Sequence, residues 1–243
     1  MSYIAVTALS HTGAVRDHNE DSLVAGPWTL CATVTENPQT LFFPLGTPLV
    51  VAVADGLGGH PGGEVASAVV VRQLAQIGPS LDSEQAVHDA LSACNRAVYA
   101  AASNNPELTA MGTTVAGIVF TSDHALAFNV GDSRVYAAGS GGLRQLSTDD
   151  RPPGEHPSSV ITQTLGGSDE LATVNPHVIT TQLSDDSSYL VCTDGLTDPV
   201  PADVLDDVLR QHQDGRAAFE LWKAAIEAGG PDNVTVALVR LGT

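Results

Sequence analysis

Val50-Val51-Ala52-Val53-Ala54-Asp55-Gly56-Leu57-Gly58-Gly59-His60-Pro61-Gly62-Gly63-Glu64 passes from an unbroken apolar run, through a glycine-rich turn, into a segment with helical spacing over 63–77. A short valine- and alanine-rich run bounded by turn residues reads as a strand, here 49–54. Runs of the same kind recur at 3–9, 112–120, 125–130, 134–138, 177–183, 188–193 and 233–241, and each is a predicted strand. A second helix is expected over 83–102, where Ala86, Val87, Ala90, Leu91, Cys94, Ala97, Val98 and Ala101 repeat at three- and four-residue steps. Asp82 with Gln85 would cap it. Two more helices are expected at about 201–212 and 216–228, before the final strand. Strands follow one another directly and helices come in pairs, so the sheets should be mainly antiparallel. The expected fold class is α+β, a layered sandwich.

At 243 residues and 43% hydrophobic content the chain can bury a real core, and one domain over 1–243 is the expectation. No internal repeat, low-complexity tract or long linker divides it. No stretch approaches the roughly 18 to 20 apolar residues of a membrane-spanning helix. Met1-Ser2-Tyr3-Ile4 lacks the basic flank and apolar run of a signal peptide, so a cytoplasmic location is expected. Cys31, Cys94 and Cys192 lie far apart and in no metal-binding spacing, which points to neither a disulfide framework nor a zinc site. The 28 acidic residues outnumber 10 basic ones, and the resulting charge of −18 disfavours nucleic acid and anionic membranes as partners.

Within that acidity three aspartates share one local setting. Asp55 ends the run Val50–Ala54, Asp194 ends Tyr189-Leu190-Val191-Cys192-Thr193, and Asp232 precedes Asn233-Val234-Thr235-Val236. Each sits at a strand end, followed by a residue that lets the backbone turn sharply. A single Asp-Gly is most simply a turn signal. Three such positions, with Glu20-Asp21 near the N-terminus, weaken that explanation. Carboxylates brought within a few ångströms cannot all stay ionised without a cation. An all-oxygen set without thiolate or spaced histidine selects magnesium or manganese over zinc. Two such ions would lower the pKa of a water between them, an arrangement suited to phosphoryl hydrolysis. A nucleotide loop at 55–64 is opposed by the missing P-loop lysine and by Pro61 at the last glycine position of a dinucleotide pattern.

Arg16-Asp17-His18-Asn19-Glu20-Asp21, Asp55-Gly56-Leu57-Gly58-Gly59-His60, Gly112-Thr113-Thr114, Gly131-Asp132-Ser133-Arg134, Asp194-Gly195-Leu196 and Gly230-Pro231-Asp232-Asn233 together resemble, in order and spacing, the bacterial members of the metal-dependent protein phosphatase (type 2C) family. The resemblance runs from about residue 5 to 241. It implies a β-sandwich of two antiparallel sheets flanked by helix pairs. It further implies that Asp55 bridges two magnesium or manganese ions, that Asp194 and Asp232 complete one shell, and that Glu20 with the Gly56 carbonyl serves the other. Asp21 would orient the attacking water, making it catalytic beside Asp55, and Arg16 would bind the substrate phosphate. Asp132 matches a ligand of a third, weaker ion shared with Asp194; read by itself it is a turn acid beside Arg134. His60 is read as structural, because the family's acid histidine directly follows the Asp-Gly pair, where Leu57 stands here. Thr113 and Thr114 are expected in the core, without chemistry.

The departure from the family lies at about 147–164, where a flap is shortened to the proline-rich Arg151-Pro152-Pro153-Gly154-Glu155-His156-Pro157. The implied activity is hydrolysis of phosphoserine and phosphothreonine in proteins, opposing a bacterial Ser/Thr kinase, with phosphorylated proteins, the kinase or its substrates among them, as partners. The alternative is a catalytically silent phosphoprotein-binding scaffold on the same fold, against which the retained acids argue.

Overall fold

The computed structural model describes residues 3–57, 62–103, 105–139, 141–152, 160–183 and 188–242. One sheet contains β1 (Tyr3–His11), β4 (Gln39–Pro44), β9 (Arg134–Gly139), β10 (Gly142–Gln145), β13 (Ser188–Cys192) and β14 (Val234–Gly242). The other contains β2 (Ser22–Ala25), β3 (Trp28–Cys31), β5 (Leu49–Ala54), β7 (Val115–Phe120), β8 (His124–Val130) and β12 (His177–Gln182). Their orders are β10-β9-β13-β14-β1-β4 and β12-β8-β7-β5-β2-β3. A separate short pair joins β6 (Gly112–Thr113) to β11 (Leu165–Gly166). All of these pairings are antiparallel. Helices α1 (Gly63–Ile77) and α2 (Glu84–Ala102) form one pair, and α4 (Ala202–Gln211) and α5 (Asp214–Glu227) another, with a single turn, α3 (Asp194–Thr197), after β13.

Burial on two faces explains why the strands read as continuous apolar runs. Val51 and Val53 of β5 point into the core between the sheets, while Val50, Ala52 and Ala54 pack beneath α1 and α2. In the other sheet Val191, Ala237 and Val239 face the inter-sheet core, and Leu190, Cys192 and Val236 face Leu205, Ala218 and Leu221 on α4 and α5. The result is four layers, helix pair, sheet, sheet, helix pair, each strand in the middle shielded on both sides. Phe120, fully buried, anchors the inter-sheet core edge-on to Tyr189, with ring centroids 5.4 Å apart. Burying such a ring contributes about 1.5–3 kcal/mol.

Several elements differ from the sequence expectation. The run 112–120 is broken at Thr114, so that β6 leaves the sheet to pair with β11. Strands β2, β3, β4, β10 and β11 were not expected; all are short, and β4 is an edge strand whose exposed residues include polar Gln39 and Thr40. Ser83, not Asp82, caps α2, its hydroxyl accepting the Ala86 N–H at 3.3 Å. The expected Gly58–Pro61 turn and the flap centre, 153–159, lie outside the described residues.

Antiparallel pairing gathers the acidic strand ends. Ala54 pairs with Ser22, so the end of β5 meets the start of β2. Val236 pairs with Cys192 and Val234 with His11, so the ends of β13 and β1 meet the start of β14. Asp55, Asp21, Asp194, Asp232 and the loop carrying Arg16 and Glu20 therefore emerge at one end of the sandwich. Among the described residues, no helix is long and apolar enough to cross a membrane.

Candidate active site

Asp55 is clamped through its backbone. Its carbonyl accepts the Thr113 hydroxyl at 2.7 Å and the Thr114 N–H at 2.9 Å, and its own N–H donates to the Thr114 hydroxyl at 3.3 Å. Thr114 is held in turn by the Ser133 hydroxyl at 2.7 Å. The two buried threonines thus set the direction of Asp55, a role their sequence position did not reveal. Gly56 follows because a side chain there would overlap the Gly63 backbone, and Gly195 follows Asp194 because one would overlap the Asn233 carbonyl. Glycine permits both approaches.

The carboxyls behind this clamp repel one another. Burial, then the charges of Asp21, Asp194 and Asp232, raises the Asp55 carboxyl well above its ordinary range. Burial first, then Asp132 and Asp198, pushes Asp194 up to about 7. Asp21 is likewise pushed up to about 7 by burial, against the opposing bonds from Thr193 and Thr235. Its Oδ2 accepts the Thr193 hydroxyl at 2.9 Å, whereas its buried Oδ1 has no hydrogen-bond partner. Oxygen-only donors, carboxyls held above their usual range and an orphaned buried oxygen fit a divalent cation, which would let the cluster ionise.

The loop after β1 brings in Glu20 and Arg16. Asn233, directly after Asp232, accepts the Glu20 N–H at 2.8 Å and donates to the carbonyls of Thr12 at 2.8 Å and His18 at 2.9 Å. The Ser67 hydroxyl of α1 donates to the Glu20 carbonyl at 2.6 Å. Glu20 Oε1 lies over Gly63, and burial raises the Glu20 carboxyl. His18 and Glu64 stand beside it, one ligand atom from each of the three lying within 4.8 Å of the others. Arg16 donates to Asp232 Oδ2 at 2.8 Å and remains partly exposed, at the rim of the acidic end.

Asp132 is held by a partner that sequence reading did not name. Arg134 is not its partner: that guanidinium grips Asp149, at 2.6 Å from Nη2 to Oδ2. Instead Asp132 Oδ2 accepts from Arg151 Nε at 2.7 Å, and the same guanidinium reaches Asp194 Oδ2 at 3.3 Å and both oxygens of Asp198 at 3.1 Å. Sequence reading assigned no role to Arg151 or Asp198. One signal was available: Arg151 is the sole lysine or arginine between Arg144 and Arg210 in an acidic stretch.

Strand-end acids on a double antiparallel sandwich with paired outer helices define a class, and the comparison with known families agrees: the model described as Protein phosphatase 2C matches residues 43–239. The chain belongs to that family. It is 34% identical over 247 residues to the serine/threonine protein phosphatase PstP of Mycobacterium tuberculosis, covering 94% of this chain and 43% of PstP. The chain therefore spans less than half the length of that curated relative. It is 29% identical to the serine/threonine phosphatase stp of Listeria monocytogenes, across 93% of this chain and 92% of stp. The crystal structure of M. tuberculosis PstP superposes with a TM-score of 0.82 at 32% identity, covering 99% of this chain and 100% of that one. The PstP catalytic domain in complex with two manganese ions gives 0.80 at 30% identity, with both chains fully covered.

Proposed function

We propose that this chain is a metal-dependent phosphatase of phosphoserine and phosphothreonine in proteins, acting in the cytoplasm against a bacterial Ser/Thr kinase. The observation that carries this reading is the set of crowded strand-end carboxyls raised above their usual range, the buried Asp21 and the part-buried Asp55 and Asp194. Family membership and the two manganese ions of the PstP catalytic domain support it.

Asp55, Asp194 and Asp232 would hold one magnesium or manganese ion, and Asp55, Glu20 and the Gly56 carbonyl a second. When bound, these ions supply charge neutralisation for the phosphoryl oxygens and a lowered pKa for water. Asp21 orients the attacking water through its free Oδ1, because Thr193 fixes the other oxygen. Arg16 swings from Asp232 to the substrate phosphate, for which its rigid fork of donors is suited. A cysteine phosphoenzyme is excluded for Cys94 and Cys192, whose buried thiols are pushed up to about 12. The third ion expected at Asp132 and Asp194 competes with Arg151 for the same carboxylates.

Hydrolysis of an aryl phosphate or a phosphothreonine peptide is expected to require added magnesium or manganese and to stop on chelation. The thermal midpoint should rise with manganese, since an ion that binds only the folded cluster stabilises it by mass action. Full activity in chelator would refute the metal reading, and metal binding without any turnover would favour the silent scaffold. Arg16→Ala should mainly raise KM, because a phosphate contact made equally in ground and transition states is uniform binding. Steady-state kinetics showing an unchanged KM would remove Arg16 from the phosphate site.

A further inference from the structure

We propose that Arg151 is a built-in cation that takes the place of the third metal ion, so that the chain works with two ions and its own guanidinium. The inference rests on the two-ion reading of the core and extends it to the neighbouring position. A third ion shared by Asp132 and Asp194 would need oxygens facing a common point. One oxygen of each is already taken, Asp132 Oδ2 by Arg151 Nε at 2.7 Å and Asp194 Oδ2 by Arg151 Nη2 at 3.3 Å, and although the buried Oδ1 of Asp132 has no hydrogen-bond partner, an ion drawn to it would meet the positive guanidinium already seated between the two acids. Asp198, which would enlarge the negative charge around such an ion, accepts the same Nη2 with both oxygens at 3.1 Å.

The guanidinium is fixed in place from behind. Its neighbour Asp149 is gripped by Arg134, with Nε at 2.9 Å and Nη2 at 2.6 Å from Oδ2. Asp150 accepts the Gly131 N–H at 2.8 Å and the Gln163 side-chain amide at 3.0 Å, and contacts His177 Nε2 at 2.9 Å. With residues 149 and 150 both tied down at the base of the flap, Arg151 is presented to the acids and its side chain is only 15% exposed. Arginine does not lose its proton and forms a planar fork of donors, so it stays charged here under all ordinary conditions. An incoming ion would have to expel it and strip three carboxylates of their hydrogen bonds. The burial that raises the Asp132 carboxyl is offset in part by the same guanidinium. Arg151 is a positioning residue: it fixes the outer oxygen of Asp194 and leaves the rest of that carboxyl to the core.

The experiment counts manganese on the purified chain by equilibrium dialysis and elemental analysis up to millimolar free metal, alongside activity toward p-nitrophenyl phosphate. Wild type should hold two ions and reach full activity in one saturating phase. Arg151→Ala should hold a third ion and show a second phase in its metal dependence, and adding Asp132→Asn should remove both. Circular dichroism checks each fold; if Arg151→Ala does not fold, Arg151→Gln is read in the same way. Three ions on the wild type would overturn the proposal without any variant, as would a folded Arg151 variant that stays at two. Fewer than two ions on the wild type is a separate result, which overturns the two-ion reading and the proposal with it.

Discussion

Asp55→Asn should lose at least about a thousandfold in turnover, the loss expected when an electrostatic element worth roughly 4 kcal/mol is removed. The same substitution should make the metal-free fold more stable. Asp55 is the hub of the crowded acids, its carboxyl raised by burial and by Asp21, Asp194 and Asp232. A carboxyl whose folded pKa lies above its unfolded one binds its proton more tightly when folded. Stability is then greatest at acid pH and is lost as pH rises toward the folded value, which is about 7 for the neighbouring Asp21 and Asp194. At neutral pH the metal-free wild type therefore carries a cost that asparagine, a neutral carboxyl in shape, does not. Measured side by side, the variant should show a higher metal-free melting temperature, a smaller rise on adding manganese, and almost no turnover. A variant that keeps its activity, or one that melts lower without metal, would remove Asp55 from the centre of the cluster. The trade of stability for activity is what a preorganised charged site implies.

Asp55, Asp194 and Asp232 could be found in the sequence because each closes or opens a strand that is apolar on both faces. Such strands show as unbroken runs, and an acid at their margin stands out. Strands at the edges left weaker traces: β4 opens with two polar residues and is exposed or half-buried throughout, and β3 and β10 have four residues each. The two-residue pair of β6 with β11 depends on a contact between residues 112–113 and 165–166 that no local pattern encodes. The same physics divides the site. Residue types that coordinate or repel can be read locally, whereas hydrogen-bond partners far apart in the chain cannot. Arg151 reaches back 19 residues to Asp132 and forward 43 to Asp194, and neither spacing follows a helix or strand period. Thr113 and Thr114 read as core and are buried, yet their hydroxyls aim Asp55. His18 and Glu64 beside Glu20 belong to different elements and meet only through the packing of α1 on the N-terminal loop.

Asn233→Ala should cost on the order of 3 kcal/mol of stability, since a buried group stripped of its partner costs about 1–3 kcal/mol and three groups are affected. The side chain is nearly inaccessible, at 4% exposure, and it satisfies the Glu20 N–H and the carbonyls of Thr12 and His18, all between 2.8 and 2.9 Å. Water can reach part of the vacated space beside exposed His18, which holds the total below the sum of three full penalties. For a chain of this size that loss corresponds to a melting temperature lower by roughly 6–12 °C. Activity should fall as well, and for a separate reason. The loop from Thr12 to Glu20 carries both Arg16 and Glu20, and Asn233 fastens it to the start of β14 beside Asp232. Loosened, the loop delivers its phosphate-binding arginine and its metal-binding glutamate less accurately, and small misplacements at a reacting centre cost large factors in rate. Asn233→Asp separates the two effects. It keeps an acceptor for the Glu20 N–H but turns an acceptor toward both carbonyls, so it should destabilise the fold at least as much as alanine. Thermal melts and kcat/KM at saturating manganese test both variants. A melting temperature within about a degree of wild type for Asn233→Ala would show that the loop is held by other contacts, the Ser67 bond to the Glu20 carbonyl being the first candidate.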